Sequence, residues 1–171
     1  MEIQNVCVIG SGYVGALQAV VMAAQNPKVH VTVYDINAAL IARWQQALQL
    51  AEESPIFEPQ LDEILRVAAQ NNNLTFTAEN FAQVATEADC LMIAVNTPPS
   101  NEPCGMGQSA DLTALKSVLK AIGESISDDK CRIVINKSTV PLGTAEMISD
   151  SLRGFDLNFT MVSMPEFLAE G

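Results

Sequence analysis

Val6-Cys7-Val8-Ile9-Gly10-Ser11-Gly12-Tyr13-Val14-Gly15 decides how the rest of the chain is read. Four apolar residues run straight into a GxGxxG pattern, and a helical stretch over 13–25 follows at once. That context, strand then glycines then helix, is what the pattern needs to hold a dinucleotide. Gly10 permits the tight turn, Gly12 lets a pyrophosphate approach the backbone, and Gly15 lets helix and strand pack closely. Ser11, Tyr13 and Val14 complete the loop, whose ligand meets the free N–H groups and positive end of the helix.

The next apolar run ends in Val31-Thr32-Val33-Tyr34-Asp35, twenty residues after Gly15. A carboxylate at that point accepts hydrogen bonds from both hydroxyls of an adenosine ribose and repels a 2′-phosphate. Ile36 and Asn37 follow, with no Arg to welcome NADP, so the spacing predicts NAD. The alternative for Asp35 is a helix cap.

Strand-like runs recur at 3–9, 29–34, 74–76, 90–95, 132–135 and 159–162, most of them nearly continuous and β-branched, as in a sheet covered on both faces. Helical patterns lie between them at 13–25, 38–52, 60–71, 81–86, 112–125 and 143–152. In the fifth helix Leu112, Leu115, Val118, Leu119 and Ile122 form one apolar stripe, with Asp111 as a plausible N-cap. The alternation predicts one α/β domain over 1–171, Rossmann-like and doubly wound, with a mainly parallel sheet. Residues 96–107 carry three prolines and two glycines directly after a strand. Such a segment is either a ligand-binding loop at the carboxyl edge of the sheet or a solvated connection.

Nine Lys+Arg against twenty Asp+Glu leave a net charge of −11, and 49% of residues are hydrophobic. That balance excludes a disordered chain and argues against a nucleic-acid or anionic-membrane surface, which needs clustered cations. No apolar run approaches the roughly 20 residues of a membrane span and the N-terminus lacks a basic leader, which predicts a cytoplasmic protein. Cys7, Cys90, Cys104 and Cys131 form no CxxC pair. No disulfide or metal site is expected, and Cys7, Cys90 and Cys131 read as small hydrophobes. His30, the single histidine, reads as structural.

Four later segments stand in order: Pro55-Ile56-Phe57-Glu58-Pro59, Val95-Asn96-Thr97-Pro98, Lys137-Ser138-Thr139-Val140-Pro141 and Pro165-Glu166-Phe167-Leu168-Ala169-Glu170-Gly171. With the glycine loop and Gly105-Met106-Gly107…Ala110-Asp111-Leu112, they resemble the N-terminal part of the UDP-glucose/GDP-mannose dehydrogenase family. The resemblance covers essentially the whole chain. It implies oxidation of a nucleotide-sugar C6 alcohol to a carboxylate, UDP-glucose to UDP-glucuronate, with two NAD and a cysteine-bound intermediate. GDP-mannose, UDP-N-acetylmannosamine, or a module that binds NAD without catalysis are the alternatives.

Carried over by that resemblance, Gly10 to Gly15, Asp35 and Leu40 belong to the cofactor site. Val95, Asn96, Thr97, Ser138 and Thr139 flank the nicotinamide half. Thr139 also positions a water, Glu166 acts with that water as base, and Phe167, Leu168, Ala169 and Glu170 meet the UDP-sugar, Glu170 at its junction with NAD. On the residues alone, Ser138 and Thr139 either face the crevice or cap the next helix. Glu166 is either a base held out of water or a solvated or helix-capping side chain.

Some positions depart from the family. Leu40 stands where a cation is usual, with Arg43 a turn further on. The 44–55 segment is longer, which predicts a longer helix, Gln60 replaces a glycine, and Met164 replaces an asparagine. The family's nucleophilic cysteine, catalytic lysine and UDP-binding domain correspond to positions past Gly171. The chain therefore reads as the N-terminal part of a longer, homo-oligomeric dehydrogenase, expected to bind NAD and not to complete the oxidation alone.

Overall fold

A computed structural model describes residues 2–50, 52–100 and 110–166. The elements run β1 (Asn5–Ile9), α1 (Tyr13–Gln25), β2 (His30–Tyr34), α2 (Ala38–Leu50), α3 (Leu61–Asn71) and β3 (Leu74–Thr77). The second half continues α4 (Phe81–Glu87), β4 (Cys90–Ile93), α5 (Thr113–Ser125), β5 (Arg132–Asn136), α6 (Thr144–Arg153) and β6 (Phe159–Ser163).

The strands form one sheet in the order β3-β2-β1-β4-β5-β6, every neighbouring pair parallel. The chain winds outward from β1 to β3, then crosses back beside β1 and winds the other way. This is the Rossmann order, and its reversal opens a crevice at the carboxyl ends of β1 and β4.

Strand alternation divides the core in two. Val6, Val8, Val31, Val33, Phe76 and Met92 pack under α1, α2 and α3, with Trp44 and Leu65. Cys7, Ile9, Leu91, Ile93 and Val134 pack under α4, α5 and α6, with Leu119 and Ile148. Because both faces are covered, the central strands are apolar on both sides, which is why their sequence runs do not alternate. Fully burying a Val or Leu is worth about 2 kcal/mol, so this two-sided core is what holds the crevice rigid.

The boundaries differ from the sequence expectation in instructive places. α2 is Ala38–Leu50 and Glu52 is not helical, so the longer 44–55 segment does not extend the helix to Glu52. α5 starts at Thr113, and Asp111 Oδ1 accepts the Thr113 N–H at 2.9 Å from just outside the helix instead of capping it. Cys131 is exposed, unlike buried Cys7 and Cys90, because it precedes β5 outside the apolar run. Gln60, the replaced glycine, sits at φ 69°, so the left-handed turn persists with a side chain in it. No described helix is long and apolar enough to cross a membrane.

Candidate functional site

The crevice begins with backbone. Gly10 has φ 111°, and a Cβ there would strike the Ala94 carbonyl oxygen of the neighbouring β4 connection. A Cβ at Gly15 would strike the Gly10 carbonyl oxygen, so both glycines serve packing. Gly12 is different: a Cβ there would meet nothing within 4 Å. It opens onto space in front of α1, whose N-terminus has no side-chain cap and no acidic residue in its first turn. An anionic group fits there, received by helix N–H groups and the helix dipole.

Two side chains hold this loop from behind. Asp35 Oδ2 accepts from the Ser11 N–H at 2.6 Å and from Ser11 Oγ at 2.8 Å. The buried Trp44 donates Nε1–H to the Ser11 carbonyl at 3.1 Å and stacks on Phe76 at 5.1 Å. Ser11 therefore points inward and shapes the loop. Val14 is half-buried, and the exposed Tyr13 hydroxyl donates to the Glu58 carboxylate.

Beside the loop lies a cleft of about 660 Å³, within the usual size of small-molecule sites. Gly10, Gly12 and Asp35 form its polar end, and Ile36, Leu40, Phe81 and Val118 are among its apolar walls. Asp35 is at its rim with Oδ1 held by the Asn37 N–H at 2.9 Å, so the side chain is fixed before any ligand arrives. Leu40 is part of the cleft, whereas Arg43 is exposed and does not line it.

Val95 and Asn96 carry the cleft toward the β4–β5 side, where the connections are laced together. Ser138 Oγ donates to the Val95 carbonyl at 2.7 Å, and Thr97 Oγ1 donates to the Thr139 carbonyl at 2.6 Å. Neither Ser138 nor Thr139 caps α6, since Gly143 holds that position and Thr144 Oγ1 bonds to Pro141 O. Thr139 Oγ1 instead donates to the Glu166 carbonyl at 3.0 Å.

Glu166 is ion-paired through Oε2 with Lys137 Nζ at 2.7 Å, and Gln18 Nε2 donates to the same oxygen at 3.0 Å. Where the sequence leaves Glu166 as a dry base or a solvated or capping side chain, the structure shows a half-buried carboxylate whose neighbour is a cation. Phe167, Leu168, Ala169 and Glu170 lie outside the described residues, as do Cys104, Gly105 and Gly107. The thiols of Cys7 and Cys90 are pushed up to about 12 and about 11, chiefly by burial, so neither offers a thiolate near neutrality.

Three residues of this neighbourhood carry no role in the sequence reading: Trp44, Gln18 and Lys137, the last although it opens the Lys137–Pro141 motif. Lys137 had a signal, because a cation closing the run Arg132-Ile133-Val134-Ile135-Asn136 must find a carboxylate once buried.

A model of the UDP-glucose/GDP-mannose dehydrogenase family's NAD binding domain matches residues 4–171. The chain belongs to that family. UDP-glucose 6-dehydrogenase 3 of Oryza sativa subsp. japonica is 40% identical over 169 residues, covering 98% of this chain and 33% of its own length. A UDP-glucose dehydrogenase from Pyrobaculum islandicum has a TM-score of 0.80 at 32% identity, over 99% of this chain and 37% of that one. A GDP-mannose dehydrogenase from Pseudomonas aeruginosa follows with a TM-score of 0.77 at 28% identity, over 96% and 36%. The chain thus spans about a third of the length of the curated relatives it matches. As the family's NAD-binding domain it takes NAD, and the open Gly12 backbone, the uncapped α1 and the Asp35 rim suit that ligand.

Proposed function

We propose that this NAD-binding domain forms one wall of the active site of a dehydrogenase that oxidises the C6 alcohol of UDP-glucose to UDP-glucuronate. The observation that carries the reading is a hydrogen-bonded path from the cleft to a carboxylate. Val95 lines the cleft with Gly12 and Asp35, Ser138 donates to the Val95 carbonyl, and the adjacent Thr139 donates to the Glu166 carbonyl.

In this account Asp35 accepts the adenosine ribose hydroxyls, and Gly12 with the first turn of α1 receives the pyrophosphate. Leu40 supplies an apolar side to the adenosine cleft. Val95, Asn96, Thr97, Ser138 and Thr139 border the nicotinamide. NAD held there would supply a hydride acceptor, and two of them used in turn would balance a four-electron oxidation in which the alcohol and one water give a carboxylate, two NADH and three protons. Family resemblance assigns the acyl-carrying cysteine to a part of the protein past this chain. Glu166 then takes a proton from the water that cleaves the thioester, with Thr139 beside it, and Phe167 to Glu170 approach the sugar.

The test is turnover by the full-length protein with UDP-glucose, GDP-mannose and UDP-N-acetylmannosamine in parallel, read as NADH formation. UDP-glucose is expected to give the highest kcat/KM. A clear preference for GDP-mannose or UDP-N-acetylmannosamine changes the substrate, and NADH from none of the three overturns the reading.

A further inference from the structure

We propose that Lys137 and Gln18 are positioning residues that lock one oxygen of Glu166 and leave the other, Oε1, to receive the proton from water. This deepens the proposed function and rests on Glu166 being the base there.

The geometry is specific. Lys137 Nζ, on a side chain only 4% exposed, is 2.7 Å from Glu166 Oε2. Removing an ammonium from water is costly unless a carboxylate meets it, and Glu166 Oε2 is its hydrogen-bond partner among the described residues. Gln18 Nε2 lies 3.0 Å from the same oxygen, so two donors converge on Oε2. The main chain is held as well: the Glu166 N–H donates to the Lys137 carbonyl at 3.3 Å, and Thr139 Oγ1 donates to the Glu166 carbonyl at 3.0 Å. Glu166 is therefore fixed at its N–H, its carbonyl and one carboxylate oxygen.

Such a carboxylate has one orientation and one oxygen to work with. Orientation matters because a general base acts only on a water within hydrogen-bond reach. Gln18 adds a link to the cofactor, since α1 meets the pyrophosphate at its first turn and Glu166 from its second.

The experiment uses the full-length enzyme with Glu166→Gln, Lys137→Met, Gln18→Leu and the double variant Lys137→Met/Glu166→Gln. Lys137→Met is expected to lower kcat about a hundredfold, with kcat/KM for UDP-glucose and calorimetric NAD affinity within about twofold, because the slowed step follows formation of the covalent intermediate. Gln18→Leu is expected to lower kcat about threefold, and the double variant to match Glu166→Gln alone, because both changes disable one base. The thioester should accumulate in each slow variant, which a merely structural ion pair would not cause. A slow Glu166→Gln beside a normal Lys137→Met overturns the positioning role and spares the base. A normal Glu166→Gln overturns both. Multiplying losses in the double variant also overturn the inference. Should Lys137→Met fail to fold, Gln18→Leu decides alone: slow turnover with accumulated thioester supports it, and unchanged kcat overturns it.

Discussion

Replacing Asp35 by Asn separates two jobs that this residue performs. Its Oδ2 holds the glycine loop through Ser11 at 2.6 and 2.8 Å, and its charge faces the place proposed for the ribose. An asparagine with its oxygen toward Ser11 keeps that tie, so the loop persists while the charge and the bond from the Asn37 N–H are lost. A 2′-phosphate about 5 Å from the carboxylate meets about 3 kcal/mol of repulsion per unit charge at an effective dielectric of about 20. Salt and water at a half-exposed rim leave about 2 kcal/mol, a preference for NAD over NADP of about 30-fold. Asp35→Asn should reduce that ratio to about threefold or less. NAD itself should weaken about tenfold, because a charge-assisted bond becomes a neutral one. The assay is built in: Trp44, the single tryptophan, donates to the Ser11 carbonyl at 3.1 Å, so its emission reports cofactor arrival at the loop. An unchanged NAD to NADP ratio with the loop intact would refute the assignment of Asp35 to the ribose.

Gly12→Ala should leave thermal stability within about 0.5 kcal/mol, since its Cβ meets nothing within 4 Å, yet weaken NAD tenfold or more by occupying the pyrophosphate space; Gly15→Ala should unfold the domain before any binding is measured. Gln60→Gly should raise stability by about 0.5–1 kcal/mol, because a side chain at φ 69° carries left-handed strain, and a urea melt reads the gain. Asp128→Asn should cost about 1 kcal/mol, since it leaves the buried Arg132 guanidinium without its carboxylate, although water around the exposed Asp128 screens the pair. Arg132 hydrogen bonds hold the Asp128 carboxyl at about 2, below the ordinary 3.8, so the pair's contribution is complete above about pH 4 and lost as pH falls through about 2. Acid unfolding of the variant should therefore lack that component.

The parts of the fold that repeat locally were readable in the chain. Continuous β-branched runs and helical stripes give all six strands and the helix order, because burial on both faces writes itself into every central strand. The glycine loop and Asp35 were readable because backbone space and charge at a fixed spacing are local demands. The contact between Lys137 and Glu166 was not, since it joins residues 29 apart through side chains at the ends of different strands. Gln60 hides its left-handed turn for a related reason: only the chain around it, not its own preference, forces φ positive. Cys131 reads as core beside an apolar run and is exposed, because it precedes β5, outside the strand pairing that covers its neighbours.

The most direct test of the central claim is the ratio of NADH formed to UDP-glucose consumed by the full-length enzyme, with the product identified by mass. Two NADH per sugar and UDP-glucuronate as product are predicted. One NADH with a released aldehyde, or no NADH despite bound NAD, would contradict the account.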